Sequence, residues 1–439
     1  MTKISKLPND DKTNGWSRIL PARTPNAPLD KDIRCNWAVI GGGFAGQAAA
    51  RRLAMNRPDD QIVLLDASIA GENASGRNSG FAIDIPHTID DGMDALNHAH
   101  AEMRLARAGI DFNEVQVNQH NIACDWGRRG KYQTVASERG RKVMLEPLAK
   151  MLDSLEEPYR WVEGADLQAE VGTPHYISAL YTPGCVLMNP AALCRGLADT
   201  MPENVTVHEA SPVLEFDNAE RVTMKTPQGS VVADKVILAV NGFAPFFGFY
   251  RGKFIYLAAH ASITRPLSEQ ERAELGGVED WGITPANAFV SITQRYTRDH
   301  RLLIRQNIHH CQDMNCTDSM RRSLAQDHQR MFHQRFPMLP DVTIEHTWTG
   351  YVCLSGNHTP GFGQVAPNVY TAVCQNAVGA AKGAVSGMLA ADLACGQDNS
   401  LIADMESFGT PIRLPPRPFL DLGVRTRMAW EGWNNRHER

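Results

Sequence analysis

The chain has 439 residues, 43% of them hydrophobic and 21% charged, with a formal net charge of −5. That length implies two domains, or one large domain with inserts, and the acidic balance excludes nucleic acid as the main partner. No apolar run is long enough to cross a bilayer, the polar N-terminus shows no secretory pattern, and nine scattered cysteines without framework spacing predict reduced thiols in a cytoplasmic protein.

Residues 1–34 read as an irregular, proline-dotted arm. "NWAVIGG" (36–42) is a short buried strand running into glycines, "GQAAARRLAMN" (46–56) a helix, and "QIVLLDA" (61–67) a second buried strand. Strand, glycine turn, helix, strand is the βαβ unit of a doubly wound sheet. "ASGRNSGF" (74–81) follows, polar and bendable beyond the needs of a surface turn. From about 90 to 160 helical patterns dominate, with His98 and His100 on a solvated face. Residues 205–240 return to β character, with a hairpin at "TPQG" (226–229) and a buried strand ended by Asn241-Gly242. Residues 250–345 form a strand-rich unit with a helix over 319–336, stopped by Pro337. "HHCQDMNC" (309–316) lacks the paired Cys-x2-Cys units of a structural zinc site and reads as a solvated loop, so no metal is expected. A strand, a glycine turn near Gly379 and a small-residue helix follow, and the polar, aromatic end at 430–439 reads as a terminal helix.

Gly41, Gly43 and Gly46 fit G-x-G-x-x-G, with Phe44 and Ala45 opening the helix. The glycines permit a tight turn, close approach to a pyrophosphate, and close packing of helix on strand. The helix N-terminus offers free N–H groups and a positive dipole end to phosphates. Asp66, beside Ala67, stands 20 residues beyond Gly46, where a carboxylate takes the ribose hydroxyls of an adenosine. The chain then leaves the βα alternation for helices and a hairpin and returns late to the first domain, a discontinuous plan that favours FAD over a nicotinamide.

With "VIGGGFAG", "LLDA", "ASGRNSGF", "LMNPAALCRGLA", "KVILAVNGF", "RDHRLLIRQ", "HTWTGY", "TPGFG" and "QNAVGAAKG", the sequence resembles the D-amino-acid-oxidase-like family of FAD amine oxidoreductases, on its gamma-glutamylputrescine oxidase branch. The resemblance implies an α/β (α+β overall) fold. A glutathione-reductase-like FAD-binding Rossmann domain would span 1–90, 190–245 and 346–400. A strand-rich substrate domain would span 91–189 and 246–345, with a C-terminal extension at 401–439. It implies that Ala74, Ser75, Gly76, Arg77, Asn78, Ser79 and Gly80 lie along the FAD pyrophosphate, with Arg77 and Asn78 donating to phosphate or ring oxygens. It implies that Val213 bonds the adenine through its backbone and that Gly242 lies near the cofactor. The turn holding Val378, Gly379, Ala380, Ala381 and Lys382 would aim N–H groups at the flavin N1–C2 edge.

The chain departs from the branch where Ala380, Ala381 and Lys382 replace the usual glycine–histidine turn, and where Arg305 and Gln306 stand after "RLL". Both changes fall near the expected substrate, and the cations Arg305 and Lys382 suggest recognition of a carboxylate. The expected reaction is oxidation of a carbon–nitrogen bond in a small amine or amino acid by hydride transfer to flavin N5. The imine then hydrolyses, and O2 or another acceptor takes the electrons. His260 and Tyr256 are the candidate catalytic groups, and Cys353 is not expected to bond the flavin covalently. A dehydrogenase with a quinone or carrier acceptor, and a flavin-binding partner protein that has lost catalysis, are the alternatives.

Overall fold

The computed structural model describes residues 1–86 and 93–438; the expected domain boundary near residue 90 lies outside them. The strand that opens the glycine turn, β1 (Ile33–Ile40), is buried from Trp37 onward, as suits a strand covered on both faces. Helix α1 (Phe44–Asn56) returns the chain to β2 (Ile62–Leu65), which pairs with β1 in parallel. After α2 (Met93–Gln119) and β3 (Lys131–Val135), strand β4 (Val205–His208) joins β2 in parallel, and β5 (Ser230–Leu238) joins the other side of β1. The predicted hairpin is present: 222–225 pairs antiparallel with β5 around the 226–229 turn.

A second, eight-stranded sheet is built from β3, β6 (Phe254–Thr264), β7 (Gly282–Pro285), β8 (Thr293–Tyr296), β9 (Leu302–His310) and, beyond helix α3 (Asp318–Arg335), β10 (Ile344–Ser355), completed by 160–163 and 178–182. The chain re-enters the first sheet with β11 (Val369–Val373), parallel to β5, and then forms α4 (Gly379–Cys395). A last helix, α5 (Phe419–Asn434), ends the chain.

Side-chain alternation explains the layers. Along β1, Trp37 and Val39 pack on Ala49, Ala50 and Leu53 of α1 and on Ala390 and Ala391 of α4, while Ala38 and Ile40 face Phe216 and Phe247 on the opposite side. The small residues of α4 let it lie almost in contact with α1: a Cβ on Gly387 would stand 1.9 Å from the Ala45 carbonyl oxygen. In the second sheet, Ile304, Ile283 and Tyr132 bury against Phe332 and Phe336 at and just beyond α3. The opposite face meets the first domain, where Trp348 Nε1 donates to the Arg77 carbonyl at 3.0 Å and Arg295 donates to the carbonyls of Gly80 and Met188.

Four sequence expectations change. The 90–160 stretch is not all helical, because Lys131–Val135 is a central strand whose partners, 178–182 and β7, lie far away in sequence. Strand β10 belongs to the second sheet, although 346–400 was expected in the first domain. Helix α2, expected in the substrate unit, packs on α4, so closely that a Cβ on Gly109 would stand 2.1 Å from the Ala381 carbonyl oxygen. Segment 309–316 is not a solvated loop: His309 and His310 end β9, His309 stacks on His260, and Cys311 and Cys316 are buried.

Candidate active site

The glycine turn forms as its spacing predicts. Gly41 takes φ +104°, and a Cβ on Gly46 would fall 1.7 Å from the Gly41 carbonyl oxygen. The first N–H groups of α1 have no intrahelical partner. That of Phe44 is met by Ser75 Oγ at 3.1 Å, which ties the "ASGRNSGF" loop to the helix start. Asp66 follows β2, and its two oxygens accept the N–H groups of Gly42 at 2.5 Å and Ser68 at 2.7 Å. Burial pushes its carboxyl up to about 6 against the lowering effect of those two bonds.

These parts wall a cavity of about 1290 Å³ including its open mouth. Its lining includes Gly41 to Gly43, Asp66, Ala67, Ala74 to Arg77 and Val213, and on another wall Asn241, Gly242, Tyr256 and Cys353. A helix N-terminus, a carboxylate accepting only backbone N–H bonds, and glycines that admit a group at van der Waals distance suit a phosphate, a ribose and a flat ring system. The residues therefore fit FAD. Gly41, Gly43, Asp66, Ser75 and Val213 would hold it.

Several expected contacts are corrected. The Arg77 guanidinium, at the cavity wall, is engaged by carboxylates of the chain itself. It pairs with Asp11 at 2.7 Å and Asp10 at 3.3 Å, and its Nε donates to the Glu72 carbonyl at 2.6 Å. Burial opposes ionisation of Asp11, yet Arg77 and the two Thr13 hydrogen bonds together outweigh it and hold the carboxyl below its ordinary value. Losing one partner of such a pair costs about 3–5 kcal/mol, so Arg77 is committed to the N-terminal arm. Asn78 is committed too: its Nδ2 donates to the Ser75 carbonyl at 2.6 Å, and its Oδ1 accepts the Gly80 N–H at 2.8 Å. Ser79 lies between these anchors, and Gly80 hands its carbonyl to Arg295.

Lys382 offers no free cation, because Glu102 of α2 holds its Nζ at 2.5 Å. Ala380 and Ala381 are buried beside Phe44, so the start of α4 abuts the start of α1, and the turn from Val378 to Lys382 lies outside the cavity wall. The loop before it is unusual: Cys374, Asn376 and Ala377 all take positive φ without being glycine, a strained conformation of the kind that clusters at functional sites.

His260 is not a cavity base. Its Nδ1 meets Thr349 Oγ1 at 2.9 Å and its Nε2 meets His309 Nδ1 at 3.1 Å, and burial pushes it down to about 3. Tyr256 does line the cavity, with its hydroxyl donating to the Gly242 carbonyl at 2.8 Å, and burial keeps the phenol protonated. Cys353 donates to Asn241 Oδ1 at 3.1 Å, and a hydrogen-bonding interaction with the free thiol of Cys374, then burial, hold its thiol well above its ordinary value.

Arg305 has no carboxylate partner among the described residues; its one contact is the Ala288 carbonyl at 3.5 Å, and burial pushes it down to about 10. It stands opposite Ala261 and Thr293, on the sheet face that carries Trp348 and Arg295 toward the first domain. The same face holds polar groups that sequence reasoning missed. Lys131, 1% exposed, donates only to Gln133 Oε1 at 3.2 Å and Thr284 Oγ1 at 3.4 Å, and Thr293 Oγ1 is buried without a partner. The alternating polar positions of "GKYQT" were the available signal, but only strand pairing aligns them with Arg305.

Known proteins give the same picture. The chain is 26% identical over 391 residues to a probable oxidoreductase OrdL of Haemophilus influenzae, covering 85% of this chain and 86% of that protein. It is 25% identical to the gamma-glutamylputrescine oxidoreductase of Escherichia coli, covering 90% of each. Glycine oxidase from Geobacillus kaustophilus shares the fold at a TM-score of 0.71 and 16% identity, covering 87% of this chain and all of that one. Residues 36–393 match the DAO family of FAD-dependent oxidoreductases, so the chain belongs to that family and is an FAD-dependent oxidoreductase.

Proposed function

We propose that the protein oxidises a carbon–nitrogen bond in a small amine or amino acid that carries a carboxylate, a gamma-glutamyl-polyamine-like amine being one such class. The supporting observation is Arg305, a half-buried guanidinium without an acidic partner on the sheet face turned toward the cofactor domain. A desolvated arginine binds carboxylate strongly, since the alternative is an unpaired charge. Lys131 and Thr293, on the same face, extend the polar surface.

Bound FAD supplies the two-electron acceptor for the hydrogen on the substrate carbon next to nitrogen. The protein's residues hold and orient. Asp66 takes the ribose, the α1 N-terminus takes the pyrophosphate, and Tyr256 fixes the Gly242 turn at the cavity wall. The substrate nitrogen loses a proton, the carbon loses a hydride, and water hydrolyses the imine to a carbonyl compound and a free amine. His260 is neutral and engaged elsewhere, so the amine must arrive deprotonated, and kcat/KM rises with pH through the amine's own pKa. FAD is held without a covalent bond, O2 takes the electrons to give H2O2, and the setting is cytoplasmic. A quinone acceptor is the second reading, favoured by the exposed aromatic face of α5.

Anaerobic mixing with a panel of amines and amino acids tests the reading. A carboxylate-bearing amine should bleach the flavin, and admitted air should restore its colour. R305M should raise KM for that substrate by about 10–100-fold, the value of a charge-assisted hydrogen bond, and leave the decarboxylated analogue unaffected. Equal KM values in the variant and the parent would overturn the role of Arg305.

A further inference from the structure

We propose that α5 seats the protein on an anionic lipid surface. The helix spans Phe419–Asn434 and buries none of its sixteen residues. Its inner side is spoken for: Met428 and Gly432 line a groove with Phe289 and Ile308, which Ala429 and Trp433 also reach from its rim, Asp421 bonds His310 at 2.8 Å, and Glu431 accepts from Asn287 at 3.1 Å. The outer side is not. Phe419, Leu422, Trp430 and Trp433 are 70%, 66%, 49% and 63% exposed. At about 3.6 residues per turn these four fall in one arc, with Thr426 and Ala429 between them. Arg425 and Arg427 border the arc on its two sides, and both are exposed.

Charge decides what covers this stripe. Residues 411–438 carry five arginines against three carboxylates, in a chain whose net charge is −5. Two of those carboxylates, Asp421 and Glu431, bond inward to His310 and Asn287 and also pair with Arg417 and Arg427 at 2.7 and 2.6 Å, which leaves Arg425 as the rim guanidinium without a carboxylate partner among the described residues. A second copy laid on the same stripe would bring two net-positive segments together. Anionic headgroups complement the rims while the acyl boundary takes the aromatic side chains, which is how an interfacial helix binds. Arg427 and Arg436 stack over the exposed rings of Trp430 and Trp433 at 4.9 and 5.0 Å, which places cations beside them at headgroup level. No described helix is long and apolar enough to cross a membrane, so α5 lies in the surface plane. A berth there brings the enzyme within reach of a lipid-soluble acceptor, whatever its substrate.

The test is flotation of the full-length, FAD-loaded protein with phosphatidylcholine vesicles, with and without phosphatidylglycerol. Co-flotation should require phosphatidylglycerol and fall as salt rises. The double variant W430S/W433S should lower the bound fraction by on the order of tenfold or more, and R425Q by about fivefold. Flavin absorbance and Tm should stay at the parent values, because these side chains are exposed. Failure to float at low salt, or flotation unchanged in the variants, would overturn the proposal. So would sedimentation showing a dimer that W430S/W433S splits while vesicles stay unbound, which would assign the stripe to a second copy.

Discussion

Asp66 does two jobs with one carboxylate. It closes the glycine turn through Gly42 and waits for the ribose hydroxyls that ionised oxygens accept best. Because burial has pushed its pKa up to about 6, the ionised form is lost as pH falls through that value. FAD affinity should therefore weaken below about pH 6, and D66N should bind about tenfold more weakly at pH 8 with little pH dependence. Titration of the apoprotein with FAD across pH 5–8 checks this; parallel curves for the two proteins would refute it. Arg77 shows the limit of motif reading at the same scale. Its type and position suited a phosphate ligand, but Asp10 and Asp11, far upstream, claim its charge. No local pattern in "SGRN" carries that information.

At the scale of elements, contact between α1 and α4 holds the glycine turn in place. The Gly387 Cα approaches the Ala45 backbone so closely that any Cβ must separate the helices. G387A should cost about 1–3 kcal/mol by overpacking and also weaken FAD binding, since Ala45 sits at the helix start that faces the phosphates. Urea unfolding with and without added FAD would measure both effects, and a variant as stable as the parent would show that α4 can move freely. The strand–turn–helix–strand unit was legible because its signals are local: a buried run, glycines and a carboxylate at fixed spacing. Strand Lys131–Val135 was not. All five residues are buried, polar ones included, and the partners that bury them lie about 50 and 150 residues away.

Across the whole molecule, buried neutral histidines set the acid limit. His175, His260 and His328 are pushed down to about 4, 3 and 4, chiefly by burial. Each binds its proton more readily in the unfolded chain. Their contribution to stability is full above about pH 6.5 and is lost as pH falls toward 4. Tm should drop across that window, and H328N should lessen the slope. A flat Tm from pH 7 to pH 5 would show that the unfolded chain does not gain these protons.

Taken alone, the sequence determined the FAD-binding unit, the discontinuous plan and the family, because each rests on residue types at short, fixed spacing. It could not say which cations stay free for a ligand. Lys382 and Arg305 looked alike in the sequence; Glu102 neutralises one across a helix pair, while the second sheet leaves the other half-buried with no carboxylate partner among the described residues. Pairing of charges over long separations is a property of packing, and only the tertiary structure decides it.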